Sequence, residues 1–584
     1  HPRGLYVCFA TELWERFSFY GMKYLLLLYL TKYHLFTDEM GLDVLGAYAG
    51  LVYALPVIGG LLADRYLGMR KAVVFGGILL SLGHLLMAVE GHQAIFYAAG
   101  TVLSDNLTLA DGSTLLAGAT VAQDITIRDT AALSVFYLAI SLIVMGVGFL
   151  KPNISTIVGK LYEKDDPRRD SGFTIFYMGI NSGSFIATLL VTYLGETFGW
   201  KYGFGAAGIG MIFGLFTFMW GQKFLYGLAD PSNPEKLKEK VFGPISREVL
   251  IYICSALALG VVWLLVQREP VVHFTQNVLL IISIVGIILY SLFYKNTSDT
   301  KKLAAGLGVI AIILGIVAAA LESGMLGQTY DLTEYAAYGA MIAVAAFVGF
   351  GYFTHPSKEY SQTVVLMILI VSTIVFWALF EQSAGSMTLY TDRVVDRTAF
   401  GMEFTAGQFG SLNAGFIILL ALPFAALWVW LAKRNLEPST PVKFAIGIIQ
   451  VGLGFGALVL AAKNPNEAGQ VAAGWLVLAY FLHTTGELCL SPVGLSAVTK
   501  LSIPRVVGVS MGTWFLATAL SETLATRIGK WAAIDTSGAE TADIATSLAT
   551  YTDLFMTLMW IGIGAGVFML VISPILRKGM HDVH

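Results

Sequence analysis

The stretch ELWERFSFYGMKYLLLLYL, residues 12–30, decides how the chain is read. It is long and apolar enough to be one membrane-crossing helix, yet it carries Glu12, Glu15, Arg16 and Lys23. A charged side chain at mid-membrane costs about 2.5–3.5 kcal/mol on insertion scales, so four unpaired charges would cost on the order of 10–14 kcal/mol. At about 100° per residue these four, with Phe19 and Tyr20, fall within an arc of roughly 140°, and Leu13, Phe17 and Gly21 lie opposite. One wet or ion-paired stripe and one lipid or packing face is the arrangement that lets such a helix exist.

The surrounding chain supports a membrane setting. Of 584 residues, 56% are hydrophobic and only 13% are charged, about half the charged share of a soluble domain. Apolar runs long enough to cross a hydrocarbon core of about 30 Å recur from end to end. They do not alternate as barrel strands do. The reading is an all-α polytopic membrane protein. The first span, starting near Gly4, is too long and too charged for a cleavable signal peptide. Cys8, Cys254 and Cys489 lie in apolar runs at no metal-like spacing and read as packing residues.

Candidate spans run over 4–33, 43–63, 71–98, 131–159, 171–196 and 201–224, then 361–387, 408–432, 442–462, 470–498, 505–530 and 551–576. Between the two sets of six lies an insert with four more apolar segments, near 248–266, 276–294, 303–321 and 335–353, expected as two hairpins. The domain reading is 1–226, a linker with inserted helices over 227–357, and 358–584. Residues 101–130 read as a small polar elaboration of an external loop. Basic residues concentrate in DRYLGMRK (64–71), KLYEKDDPRRD (160–170), KEKVFGPISR (238–247) and AKRNLEPSTPVK (432–443), while the alternate loops are acidic or nearly neutral. By the positive-inside rule both termini face the cytoplasm.

Three further spans carry conspicuous charges: Lys151 in GVGFLKPNIS, Glu381 in VFWALFEQSAG and Glu487 in TGELCLSPVG. At 1.5 Å per residue from the cytoplasmic helix end, Lys23 and Glu381 lie about 28 and 30 Å deep, towards the outside. Glu12 and Lys151, at about 12 Å, and Glu487, at about 18 Å, lie in the inner half. Two acid–base sets at different depths are what alternating gates require. Intramembrane ionisable groups are by default candidates for a substrate or proton path. Glu522 falls on the same stripe as Trp514, with no role assigned.

At this point the residues resemble a known family. ELWERFSFYG is similar to the E-x-x-E-R-F-x-Y-Y-G signature of the proton-coupled oligopeptide transporters (POT/PTR family) of the major facilitator superfamily. GGLLADRYLGMRK (59–71), with Asp64, Arg65, Arg70 and Lys71, resembles the superfamily loop between the second and third helices. GVGFLKPNIS, FYMGINSGSF (176–185), FWALFEQ (376–382) and GELCLSPVGLS (486–496) follow in family order. The resemblance implies a major facilitator fold of two six-helix bundles around a central site, plus an inserted helical hairpin region. It implies proton-driven symport of di- and tripeptides in a multi-pass protein of the bacterial inner (plasma) membrane.

Carried over residue by residue, the resemblance implies that Arg16 and Lys151 hold the peptide carboxylate, with Tyr20, Tyr53 and Asn181 on that side. Arginine grips a carboxylate through a two-point fork, whereas lysine supplies a point charge. Glu487 and Asn413 would take the ammonium end, and Trp377 and Trp514 would wall the side-chain pockets. Lys23–Glu381 would form the outer gate and Lys151–Glu487 the inner one. Glu12, Glu15 and Glu381 are the proton-coupling candidates. No metal or cofactor is implied beyond the proton gradient, and the partners are di- and tripeptides, protons and the lipid bilayer, with no nucleic acid and a monomeric transport unit.

Four positions depart from the family pattern: Phe19 for a tyrosine, Lys23 for an arginine, Gly46 for a histidine of animal members, and Thr518 for a serine. The alternative function is symport of another small organic anion or nitrate on the same fold. Retention of Glu487 for an amine favours peptides. A membrane enzyme would need a nucleophile–base cluster or metal ligands near one membrane face, and the sequence offers neither.

Overall fold

A computed structural model describes residues 1–293, 357–581 and 583, apart from 110–112, 164, 165, 167, 232, 400 and 535–542. The first six long helices are α1 (Arg3–Lys32), α2 (Asp38–Leu62), α3 (Met69–Met87), α4 (Thr130–Lys160), α5 (Arg169–Phe198) and α6 (Trp200–Gly221). The insert supplies α7 (Arg247–Leu265) and α8 (Glu269–Phe293). The expected segments 303–321 and 335–353 lie outside the described residues. The second six are α9 (Lys358–Phe380), α10 (Ser411–Lys433), α11 (Thr440–Ala461), α12 (Ala473–Leu501), α13 (Val507–Gly529) and α14 (Ile544–Met580).

Helices dominate because a backbone in hydrocarbon must satisfy its own polar groups. Their starts use ordinary capping chemistry, in which a side-chain oxygen accepts from a free backbone N–H. Thr37 accepts from Met40, Asp129 from Ala132, Ser246 from Val249 and Ser357 from Tyr360. Twelve helical segments among the described residues are long and apolar enough to cross a membrane. α1 and α13 are not among them. α1 carries the charged stripe, and its burial against α5 and α6 removes it from lipid.

The first six helices pack mainly through α1–α5, α1–α6, α3–α4 and α2–α4. The second six pack through α11–α14, α11–α12 and α9–α13. Two seams join the sets, α2 against α13 and α5 against α10. Close approach at the helix crossings depends on missing side chains: a Cβ on Gly59 of α2 would lie 2.0 Å from the Gly148 carbonyl oxygen of α4. A Cβ on Gly183 of α5 would lie 2.2 Å from the Leu13 carbonyl oxygen of α1. Small residues at such crossings let backbones meet where lipid gives no hydrophobic drive.

The third span is shorter than expected. It stops at Met87, not near residue 98, because the polar stretch around Gly91 (φ 67°) turns the chain. Ile95–Tyr97 then forms an antiparallel strand with Ile125–Ile127, and Leu107–Thr108 pairs with Thr114–Leu115. Arg128 pins this elaboration to the α1–α2 turn, donating to the carbonyls of His34 (2.8 Å) and Leu35 (2.7 Å). Burial and the nearby Arg128 charge push the His34 imidazole down to about 4. A second correction concerns Cys254, which is exposed on α7 and not a packing residue, whereas Cys8 and Cys489 are buried.

Candidate functional site

Each expected charge on α1 is buried. Arg16 donates through Nη2 to Glu15 Oε1 at 2.7 Å and through Nε to Glu15 Oε2, and its Nε lies 3.2 Å from Glu12 Oε1. Its guanidinium stands 4.9 Å from the Phe19 ring centre and 6.0 Å from that of Tyr20. Phe19 thus supplies a cation–π face in place of the hydroxyl that a tyrosine would bring. The second oxygen of Glu12 is buried without a hydrogen-bond partner. One turn of α4 away from the helix-crossing glycines, Lys151 points its Nζ over the Tyr53 ring, 4.0 Å from the centroid.

Between the two bundles lies a cavity of about 150 Å³. From the first bundle it is lined by Tyr20, Lys23, Tyr53 and Asn181. From the second it is lined by Trp377, Glu381, Asn413 and Glu487. Eight expected site residues therefore meet at one space. Asn413 donates to Glu487 at 3.0 Å and to Thr484 at 3.1 Å, which fixes both polar groups on the second bundle. Asn181 donates to the carbonyl of Tyr177 in its own helix, at 3.0 Å. Trp377 stacks edge-on against Phe376 and Phe380.

Five expected residues do not line the cavity: Glu12, Glu15, Arg16, Lys151 and Trp514. Arg16 and Lys151 lie behind Tyr20 and Tyr53, Arg16 held by the acids of its own helix and Lys151 over the Tyr53 ring of α2. Trp514 is buried against α12, where a Cβ on Gly494 would lie 2.1 Å from its ring. The expected pair Lys151–Glu487 makes no ion pair among the described residues; Glu487 is engaged by Asn413 instead.

The opposite end is held shut by charge. Lys23 Nζ donates to Glu381 Oε2 at 2.9 Å, and also to Glu522 of α13 at 3.0 and 3.2 Å. Arg393, on the short helix Ser386–Val394 after α9, forks onto the fully buried Asp38 at 2.6 and 2.7 Å. Lys32 meets Asp392 at 2.5 Å, and Lys530 meets Asp43. Glu196, near the end of α5, accepts from the backbone N–H groups of Ala406 and Gly407 across the second seam. Every ion pair between the bundles among the described residues lies at this end.

Sequence reasoning left Glu522 without a role and did not single out Asp38, Asp43, Lys530 or Arg393. The signal for Glu522 was its charge inside a span. The others sit at helix ends, where a charge is unremarked in any membrane protein. Gly46 is explained by space: a Cβ there would lie 2.2 Å from the Thr526 hydroxyl, so no larger side chain fits this seam.

Comparison with known proteins agrees with this geometry. The chain matches the family model described as the POT family over residues 70–263 and 277–541. The chain belongs to the POT family. A relative named peptide transporter YePEPT, of Yersinia enterocolitica, is 33% identical over 541 residues, covering 91% of this chain and 88% of that protein. A di-/tripeptide transporter of Lactococcus lactis is 32% identical over 599 residues, covering 100% and 97%. Among POT structures, the crystal structure of a peptide transporter POT in complex with sulfate superposes with a TM-score of 0.67 at 29% identity, covering 99% of this chain and 96% of that one. The major facilitator type of fold and the multi-pass membrane character of this POT chain follow from these matches and its spans.

Proposed function

We propose that this chain imports di- and tripeptides by proton-driven symport across the bacterial inner membrane, with both termini cytoplasmic and a single chain as the transport unit. The observation that carries the reading is the division of charge around one cavity. Glu487 and Asn413 present an acceptor from the second bundle, while Arg16 and Lys151 stand behind Tyr20 and Tyr53 on the first. A zwitterionic peptide matches those two poles, its ammonium towards Glu487 and its carboxylate drawing Arg16 and Lys151 forward. Relatives named for peptide transport and for di-/tripeptide transport support the same substrate class.

In this reading the charged end, around Lys23 and Asp38, faces outside and is closed, and the end towards Lys151 and Glu487 is open. A substrate carboxylate competing for Arg16 would free Glu15 and Glu12 to take up protons. Glu12, Glu15 and Glu381 are the proton carriers on this reading, and charge pairs set which end opens.

The test is uptake of labelled dialanine into proteoliposomes, with and without an inward proton gradient, with free alanine and nitrate as competitors. The expected result is gradient-dependent uptake that unlabelled peptide blocks and neither competitor does. Competition by nitrate would transfer the cationic pole to an inorganic anion and sink the peptide reading.

A further inference from the structure

Lys23 serves two carboxylates, not one. Its Nζ lies 2.9 Å from Glu381 and 3.0 Å from Glu522. The lysine comes from the first bundle, and both carboxylates come from the second, on the 3-10 turn Glu381–Ala384 after α9 and on α13. Lys23 and Glu522 are both buried, with side chains 3% exposed. The cluster holds one cation and two acids, so with all three ionised it carries one negative charge.

We propose that Glu522 joins Glu381 as the outer proton-carrying pair of the transport cycle, beside Glu12 and Glu15 deeper in the first bundle, exchanging the Lys23 ammonium for one shared proton each time this end opens. The proposal deepens the symport reading above and rests on it. When the bundles separate at this end, Lys23 departs with the first bundle while the two acids stay side by side on the second. Two carboxylates left together in a poorly solvated site do not both stay ionised. The pair then takes one proton from the outer water. When Lys23 returns, its positive charge displaces that proton into the cavity that Lys23 and Glu381 line. The charge at the pair is the same in both states, one positive charge having replaced the other.

A lone acid would behave differently. With Glu381 only, a single protonation would free Lys23 and open the end at once. With Glu522 present, Lys23 keeps a partner after Glu381 is neutralised, so the end stays shut until the ammonium moves. The other charged groups facing this cluster are Lys151 of α4, towards Glu522, and Glu487 of α12, towards Glu381. Tyr48 and Tyr53 of α2, Tyr20 and Tyr24 of α1 and Tyr480 of α12 also face it, as neutral phenols. From the insert, α8 presents His273 and Gln276 to Thr523, and Glu269 is tied to Arg527.

The experiment is dialanine uptake in proteoliposomes over a range of external pH, with counterflow exchange as the check on folding. In Glu522→Gln the remaining Lys23–Glu381 pair is neutral, so the pH midpoint of gradient-driven uptake is expected about one unit lower. Glu522→Asp should restore the midpoint most of the way. In Glu381→Gln, Glu522 keeps Lys23 company, and a proton-dependent component of uptake should persist. The Glu381→Gln/Glu522→Gln double variant should lose gradient-driven accumulation while retaining counterflow. Complete loss of proton dependence in Glu381→Gln alone would overturn the proposal, and so would a wild-type pH profile in Glu522→Gln. The Glu381→Gln arm decides even where Glu522→Gln does not fold. A wild-type protein with no gradient-dependent uptake would overturn the symport reading itself.

Discussion

At the residue scale, Arg16 shows why residue type matters more than charge. Its guanidinium engages two carboxylates and an aromatic face at once, which a lysine's single ammonium cannot do. Arg16→Lys is expected to raise KM for dialanine about tenfold to a hundredfold, the loss of one charge-assisted hydrogen bond, with counterflow still measurable. An unchanged KM would remove Arg16 from the substrate path. His34 gives a second prediction. It is buried neutral, and its pKa falls from the ordinary histidine value to about 4. Its contribution to stability is therefore complete above about pH 6.5 and lost as pH falls from there towards 4, because the unfolded chain binds the proton more readily. Thermal unfolding in detergent should show a smaller drop between pH 7.5 and pH 4.5 in His34→Asn than in the wild type; equal drops would refute this. The charges of α1 were legible in the sequence because their insertion cost demanded an explanation. The partner of Glu522 was not, since Lys23 lies 499 positions away in the chain and only tertiary packing joins them.

At the scale of elements, hydropathy located most spans and misjudged two kinds of segment. α1 and α13 are too polar to register by hydropathy alone, though the chain's apolar runs still mark them as the spans 4–33 and 505–530. The third span was drawn too long because IFYAAG at 95–100 is apolar, and apolar strands and helix ends look alike over six residues. What no periodicity displays is which glycines bear helix contacts. Gly59→Leu should separate α2 from α4, since even a Cβ there meets the Gly148 carbonyl at 2.0 Å. Gly260→Leu on α7, where a Cβ meets nothing within 4 Å, should be tolerated. Fluorescence-detected size exclusion of the two variants distinguishes them: a collapsed peak for the first and a wild-type peak for the second are expected.

At the scale of the whole molecule, the sequence sorted its buried charges by depth into two sets, and among the described residues only the outer set makes ion pairs between the bundles. The outer set is larger than the sequence suggested, because Asp38, Asp43, Lys32, Asp392, Arg393 and Lys530 join it from helix ends. Asp38→Asn removes the acid under Arg393 and weakens the closed end. Spin labels at Glu39→Cys and Glu403→Cys, both exposed, should report a longer, broader distance distribution in that background. An unaltered distribution would mean that Asp38 only braces its own loop. The inserted α8 bears on the same motion. It is bonded to α13 through Glu269–Arg527 and the Gln276–Thr523 contact, and it lies close over Gly50 of α2, so one seam between the bundles is covered by protein. The other, between α5 and α10, has no such cover among the described residues and presents Ile186, Leu190, Leu419 and Leu422 outwards. Acyl chains can press into that second seam as the bundles rock and are kept from the first, so bilayer thickness and lateral pressure would act on the cycle from one flank only.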